Sequence, residues 1–204
     1  DPDFRSKFLD LIRWHGEQDA IARGTYGETV AGKWRGCAVG CSLRSLDMLR
    51  GRTNDNYAEH ARYEPELGIP TILARLQDGL FELLPEAIAM AWPLRFSTAI
   101  RAGDNLSLVW PRFAVWLLND PTNGVIRFAR TDRTRDAILG VTALWDRVIG
   151  GGMVTVGEWR AARSAADTAA YAADDAADAA DTAASAAAAA YTAAYAAAAA
   201  AAAA

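Results

Sequence analysis

The sequence predicts an all-α protein, a compact multi-helix body followed by one long Ala-rich C-terminal helix. Three observations predict it. Apolar residues recur at spacings of three and four through most of the body, the spacing that lines one face of a helix. No run alternates apolar and polar residues as a half-buried strand does. After Gly157 the chain holds neither Gly nor Pro, and Ala, the best helix former, dominates it. The composition is that of a globular chain, 52% hydrophobic with seven Trp.

The elements follow in order. Pro2 suits the first turn of a helix, and Phe4, Phe8, Leu11, Ile12 and His15 form its apolar stripe. The helix is extended to about Arg23, although Gly16 weakens its middle and Asp19 falls where the stripe wants an apolar residue. A loop then runs from Gly24 to Gly36. Residues 37–50 read as a second helix (Cys37, Cys41, Leu43, Leu46, Leu49) stopped by Gly51. After the polar loop 52–56, a short helix over 57–67 ends near Gly68. Pro70 starts another, with Ile72, Leu73, Leu76, Leu80, Phe81 and Leu84 on its buried face. Pro85 and Pro93 read as first-turn prolines of two short helices, 85–92 and 93–102. Residues 106–118 form the next helix, which Pro111 should kink or split. Trp110 and Trp116, either side of that proline, are assigned to the core. Asp120–Gly124 is a turn cluster, and an N-cap at Thr131 or Asp132 opens a helix to Ile149.

Gly150–Gly152 and the cap at Thr155 mark the one domain boundary: an α-helical body over 1–149, a Gly-rich hinge over 150–154, and the long helix over 155–204. Thr155 followed by Glu158 has the capping-box pattern. From Ser164 to Ser185 the residues other than Ala recur at alternating steps of three and four, so they form one stripe and Ala covers the rest. Alanine surfaces let helices approach closely, which suits a helix pair or a rod lying on another surface. The tail carries Glu158 and five Asp against Arg160 and Arg163, a net of −4, equal to the charge of the whole chain. A neutral body and an acidic rod argue against a nucleic-acid partner, which calls for a basic patch. The Ala tail is too weakly apolar and too rich in Asp for a membrane span. No signal peptide is visible, and two Cys make no disulfide framework, so the expected compartment is the cytoplasm.

Three groups could carry chemistry. Gly36-Cys-Ala-Val-Gly-Cys41 places Cys37 and Cys41 at i,i+4 on one helix face, where two thiolates can share a metal. His60 and Glu64, also at i,i+4, would complete the set, so the candidate metal ligands are Cys37, Cys41, His60 and Glu64, with zinc the possible ion. The opposing reading makes both Cys small buried residues, with Gly36 and Gly40 allowing close helix contact. His60-Ala-Arg-Tyr-Glu64 offers an acid–base group, a guanidinium, a phenol and a carboxylate; its bland alternative is a solvated helix face. His15 reads as a hydrogen-bonded core histidine with Asp19 as its nearest partner. Arg127, Arg130, Arg133 and Arg135 form a basic cluster with Asp132 and Asp136 interleaved, read as a solvated face. Nucleophile-elbow, phosphate-loop and dinucleotide fingerprints are absent.

Gly24-Thr-Tyr26, Gly36–Leu43, His60–Glu64, Leu67-Gly-Ile-Pro70, Leu73–Leu76 and Glu158-Trp-Arg160 together resemble a group of uncharacterised bacterial and phage proteins with this Gly-Cys-Ala-Val-Gly-Cys motif and an Ala-rich C-terminal helix. The resemblance implies a small soluble cytoplasmic protein and no particular activity or cofactor. In that group the second Cys often leads toward a His; Ser42-Leu43-Arg44 stands here instead, which weakens a metal site built on it. The expectation is a non-enzymatic interaction protein whose Ala-rich helix self-associates or docks a protein partner. The alternative is a metal-binding or enzymatic domain centred on Cys37, Cys41, His60 and Glu64. A weaker alternative is a phage-borne inhibitor.

Overall fold

The computed structural model describes residues 2–174 apart from Asp19 and Asp55. The tail beyond Asp174, where most of the expected long helix falls, lies outside the described residues. The structure is mostly helical, and the chain divides into two compact units, 1–106 and 107 onward. The body expected over 1–149 thus draws on both.

In the first unit α1 (Pro2–Glu17) ends earlier than the sequence suggests. Residues 20–22 leave the helix because their backbone bonds elsewhere: Gly36 N–H donates to Ala20 O and Ala22 N–H to Gly36 O, each at 2.9 Å. The expected loop contains a hairpin, β1 (Glu28–Val30) antiparallel to β2 (Lys33–Arg35). Its turn residues Ala31 and Gly32 have φ of 50° and 77°, the left-handed pair that matches the twist of a tight hairpin. Strands of three residues are too short to show alternation in sequence.

At the centre lies α2 (Ala38–Leu49), packed against α1, α4 (Thr71–Leu83) and α5 (Glu86–Ala99). Every residue from Ala38 to Leu43 is buried, the signature of a helix surrounded on all sides. Its buried hydroxyls are satisfied within the helix, Ser42 Oγ on Ala38 O at 2.9 Å and Ser45 Oγ on Cys41 O at 2.8 Å. The helix expected over 57–67 is shorter: a 3-10 turn (His60–Arg62) runs into α3 (Tyr63–Leu67), which Gly68 closes at φ 68°. The two helices expected over 85–102 are one, since α5 continues through Pro93. The proline forgoes the bond to the Ala89 carbonyl, and burial of its ring offsets that loss.

In the second unit α6 (Val109–Asn119), α7 (Asp132–Ile149) and α8 (Val156–Asp174) pack in sequence, α7 in the middle. Pro111 neither kinks nor splits α6, because it sits in the first turn, where no N–H is needed. Trp110, Trp145 and Trp159 are buried in a row, with ring centroids 6.4 and 4.6 Å apart. Trp116, assigned to the core from sequence, is 46% exposed. Both helix starts read from the sequence are present. Thr134 N–H donates to Thr131 Oγ1 at 3.1 Å. Thr155 and Glu158 cap each other reciprocally, at 2.8 and 3.3 Å. The glycine run stops α7: Gly150 and Gly152 N–H donate to Asp146 O and Arg147 O, while Gly151 takes φ 81°.

Candidate functional site

The site is built around Asp78 on α4. α4 packs against α2 and the His60 turn, and the 20–26 segment approaches the start of α2 closely. Cys37 N–H donates to Thr25 O at 2.7 Å. A Cβ on Gly40 would stand 1.7 Å from Tyr26 O, and one on Gly36 2.6 Å from the same atom. Glycine at both positions is therefore what lets Tyr26 lie against α2 and reach α4.

Asp78 gathers three donors. Tyr26 Oη donates to Oδ2 at 2.8 Å, His60 Nε2 lies 3.0 Å from Oδ2, and Cys37 Sγ lies 3.4 Å from Oδ1. His60 is held at its other end by Ala58 O, 2.9 Å from Nδ1, and its ring meets Tyr26 edge-on with centroids 5.6 Å apart. Both acceptors facing the imidazole are oxygens that only accept, a carbonyl and a carboxylate, so this geometry suits donation from both ring nitrogens.

Electrostatics fixes the roles. Burial works to raise the Asp78 carboxyl, but the hydrogen bonds from His60 and Tyr26 outweigh it and hold it below the usual carboxylate range. Burial pushes the Tyr26 phenol up to about 12, and the adjacent Asp78 adds to the shift. The Cys37 thiol is likewise pushed up to about 12 by burial; the Gly40 N–H that bonds its sulfur pulls the other way, and the Asp78 charge adds to the rise. At neutral pH the cluster is an ionised carboxylate served by a phenol, the His60 ring and a thiol. A thiol so buried and so far from ionising is not an activated nucleophile.

Of the four residues expected to meet, Cys37 and His60 converge on Asp78. Cys41 and Glu64 do not join them. Cys41 is fully buried, its sulfur 3.4 Å from Gly36 O and 3.9 Å from Ala20 O, and burial raises its pKa too. Glu64 takes the Thr71 hydroxyl at 3.1 Å, at the start of α4. The rest of the His60–Glu64 motif is equally engaged. Arg62 bonds the buried Asp47 through two nitrogens and Glu66 at 2.8 Å, and Tyr63 Oη donates to the buried Gln77 at 2.9 Å.

A metal has a different candidate set among the described residues. Cys37, Asp78 and Glu82 each place a ligand atom within 4.8 Å of the other two. Binding there would require Cys37 to lose its proton and Asp78 to release donors it now holds. Asp78 and Glu82 are missed from sequence, though they stand at i,i+4 on a helix whose other face is apolar, which is a readable carboxylate pair.

His15 is buried, but neither ring nitrogen finds a hydrogen-bond partner among the described residues. Burial and then the Arg44 charge lower its pKa to about 4, so it is neutral. Its expected partner Asp19 lies outside the described residues.

No family model matches this chain. Neither the curated proteins nor the solved structures contain a significant match. Function therefore rests on the geometry. Among the described residues no helix is long and apolar enough to cross a membrane.

Proposed function

We propose that the protein is a non-enzymatic interaction protein that self-associates through the small-residue surface of its C-terminal helical unit. The observation that carries this reading is the groove between α7 and α8. Arg133, Asp136, Ala137 and Gly140 line one wall, and Ala161, Ala162, Ser164, Ala165 and Thr168 the other. The α8 wall holds nothing larger than Thr, so another helix backbone could approach it closely. In α8 the face carrying Trp159, Ala166 and Ala169 is buried, while Ala161, Ala165 and Thr168 line the groove one turn apart.

A second copy of this chain fits the groove best. The same pattern of small residues continues along the tail in sequence, and two copies of a small-residue helix face can pack on one another about a two-fold axis. Arg133 and Asp136 are both exposed, and neither has an ion-pair partner among the described residues. In a two-fold pair Arg133 of one copy can face Asp136 of the other. The internal hydrogen bonds of His60, Arg62, Tyr63 and Glu64 support a structural rather than catalytic use of that motif.

Light scattering of the full chain over a range of concentrations tests the reading. The wild type should show a dimer, and the Ala161→Glu/Ala165→Glu variant a monomer of unchanged helicity. A wild type that stays monomeric throughout would refute it. The metal-binding alternative keeps one supporting observation, the approach of Cys37, Asp78 and Glu82. Stoichiometric metal in protein purified without added zinc, lost on Cys37→Ser, would favour it instead.

A further inference from the structure

In the first unit a cleft of about 450 Å³ opens beside the hairpin, α2 and the loop that follows it, within the size range of small-molecule sites. Two of its walls are aromatic. Trp34 and Tyr57 meet at 80° with centroids 5.7 Å apart, which gives the cleft an L-shaped apolar corner. The Trp34 ring is fixed there by close neighbours: a Cβ on Gly36 would approach it to 2.7 Å and one on Gly27 to 3.2 Å.

Four charged side chains line the cleft, and three are neutralised. Asp47 is paired with Arg62 and Arg52, Arg52 also with Glu66, and Glu28 with Arg35 at 2.8 Å. Arg44 is the exception. Its guanidinium lies 4.3 Å from the centre of the Trp34 ring, it has no carboxylate partner among the described residues, and its buried Nε has no hydrogen-bond partner there. His15, whose ring centroid lies 5.3 Å from that of Trp34, is neutral, and Arg52 is held by Asp47 and Glu66, so no second unpaired cation among the described lining residues competes for an anion. An arginine with unused donors stacked on an indole presents a planar fork for an oxyanion beside a face for a flat ring.

We propose that this cleft binds a small organic anion carrying a flat ring, the ring seated against Trp34 and Tyr57 and the oxyanion on Arg44. The site lies within the first unit and does not depend on self-association. Carboxylate and phosphate share the required chemistry, and the probes separate them.

Isothermal titration of the full chain with 4-hydroxybenzoate, phenyl phosphate and neutral 4-hydroxybenzamide tests it. One or both anions should bind saturably and the amide should not; whichever anion binds more tightly identifies the oxyanion. Arg44→Gln should weaken binding roughly tenfold or more, the cost of losing hydrogen bonds to a charged group. Met48→Glu gives a check that leaves the arginine in place. Met48 is 45% exposed on the cleft rim, and a glutamate there stands one helical turn from Arg44 and neutralises it, so anion binding should be lost with the fold intact. The proposal is overturned if neither anion binds the wild type, if the amide binds as well as the anions, or if Met48→Glu binds like the wild type.

Discussion

His15 is the residue whose burial has the clearest thermodynamic consequence. Its pKa falls from 6.5 to about 4 in the fold. Between those values the unfolded chain takes up a proton that the folded chain refuses. Stability is therefore intact above pH 6.5 and lost as pH falls toward 4, by roughly 3 kcal/mol at most. Asp78 and Glu66, both held below their ordinary values of 3.8 and 4.5, add their losses as pH falls through those values, at the acid end of this window and below it. Urea unfolding at several pH values should show a slope for the wild type over this window, and His15→Leu should flatten it. A second residue-scale prediction concerns Asp78. Removing its side chain leaves Tyr26, His60 and Cys37 without their shared acceptor, so Asp78→Ala should cost about 2–4 kcal/mol in urea unfolding. An unchanged unfolding midpoint would contradict the structural role given to the cluster. The donors His60 and Cys37 are visible in the sequence because their residue types advertise chemistry. Asp78 is hidden there, since it lies 41 residues from Cys37 and 52 from Tyr26 along the chain. The packing of α2 and the His60 turn on α4, with the close passage of the 20–26 segment over α2, brings them together.

At the scale of elements, the two glycines of the Cys37–Cys41 motif hold that passage open. Gly40→Ala would drive a Cβ into the Tyr26 carbonyl oxygen, 1.7 Å away, and backbone cannot yield as a side-chain tip can. A Cβ added to Gly79, inside α4, would meet nothing within 4 Å, so Gly79→Ala should stabilise by about 0.5–1 kcal/mol through helix propensity. Thermal unfolding of the two variants should move in opposite directions, and equal shifts would contradict the packing described. The elements legible in the sequence are those with local signals. The caps at Thr131 and Thr155 are short-range chemistry and stand where the pattern places them. Where sequence and structure part, tertiary contacts decide. Ala20–Ala22 leaves α1 to pair with Gly36, and Pro93 lies inside α5 with its ring buried, which offsets the lost hydrogen bond. A proline in a first turn and one in a packed helix interior look alike in sequence.

At the scale of the molecule, the two units differ in what they present. The first is a helical body whose conspicuous motifs are used to hold it together, with a cleft left at its hairpin. The second presents a groove of small residues flanked by one cation and one anion that have no ion-pair partners among the described residues. The helical character is readable from periodicity; the division near residue 106 is not, because no glycine run or shift in composition marks it as Gly150–Gly152 marks the end of α7. Self-association through α7 and α8 is the central claim, and charge reversal tests it most directly. Sedimentation equilibrium of the full chain should show that Arg133→Asp and Asp136→Arg each weaken the dimer by placing like charges opposite one another. The double variant, which restores opposite charges across the two-fold axis, should recover it. A wild type that remains monomeric, or single variants that dimerise as well as the wild type, would contradict the account.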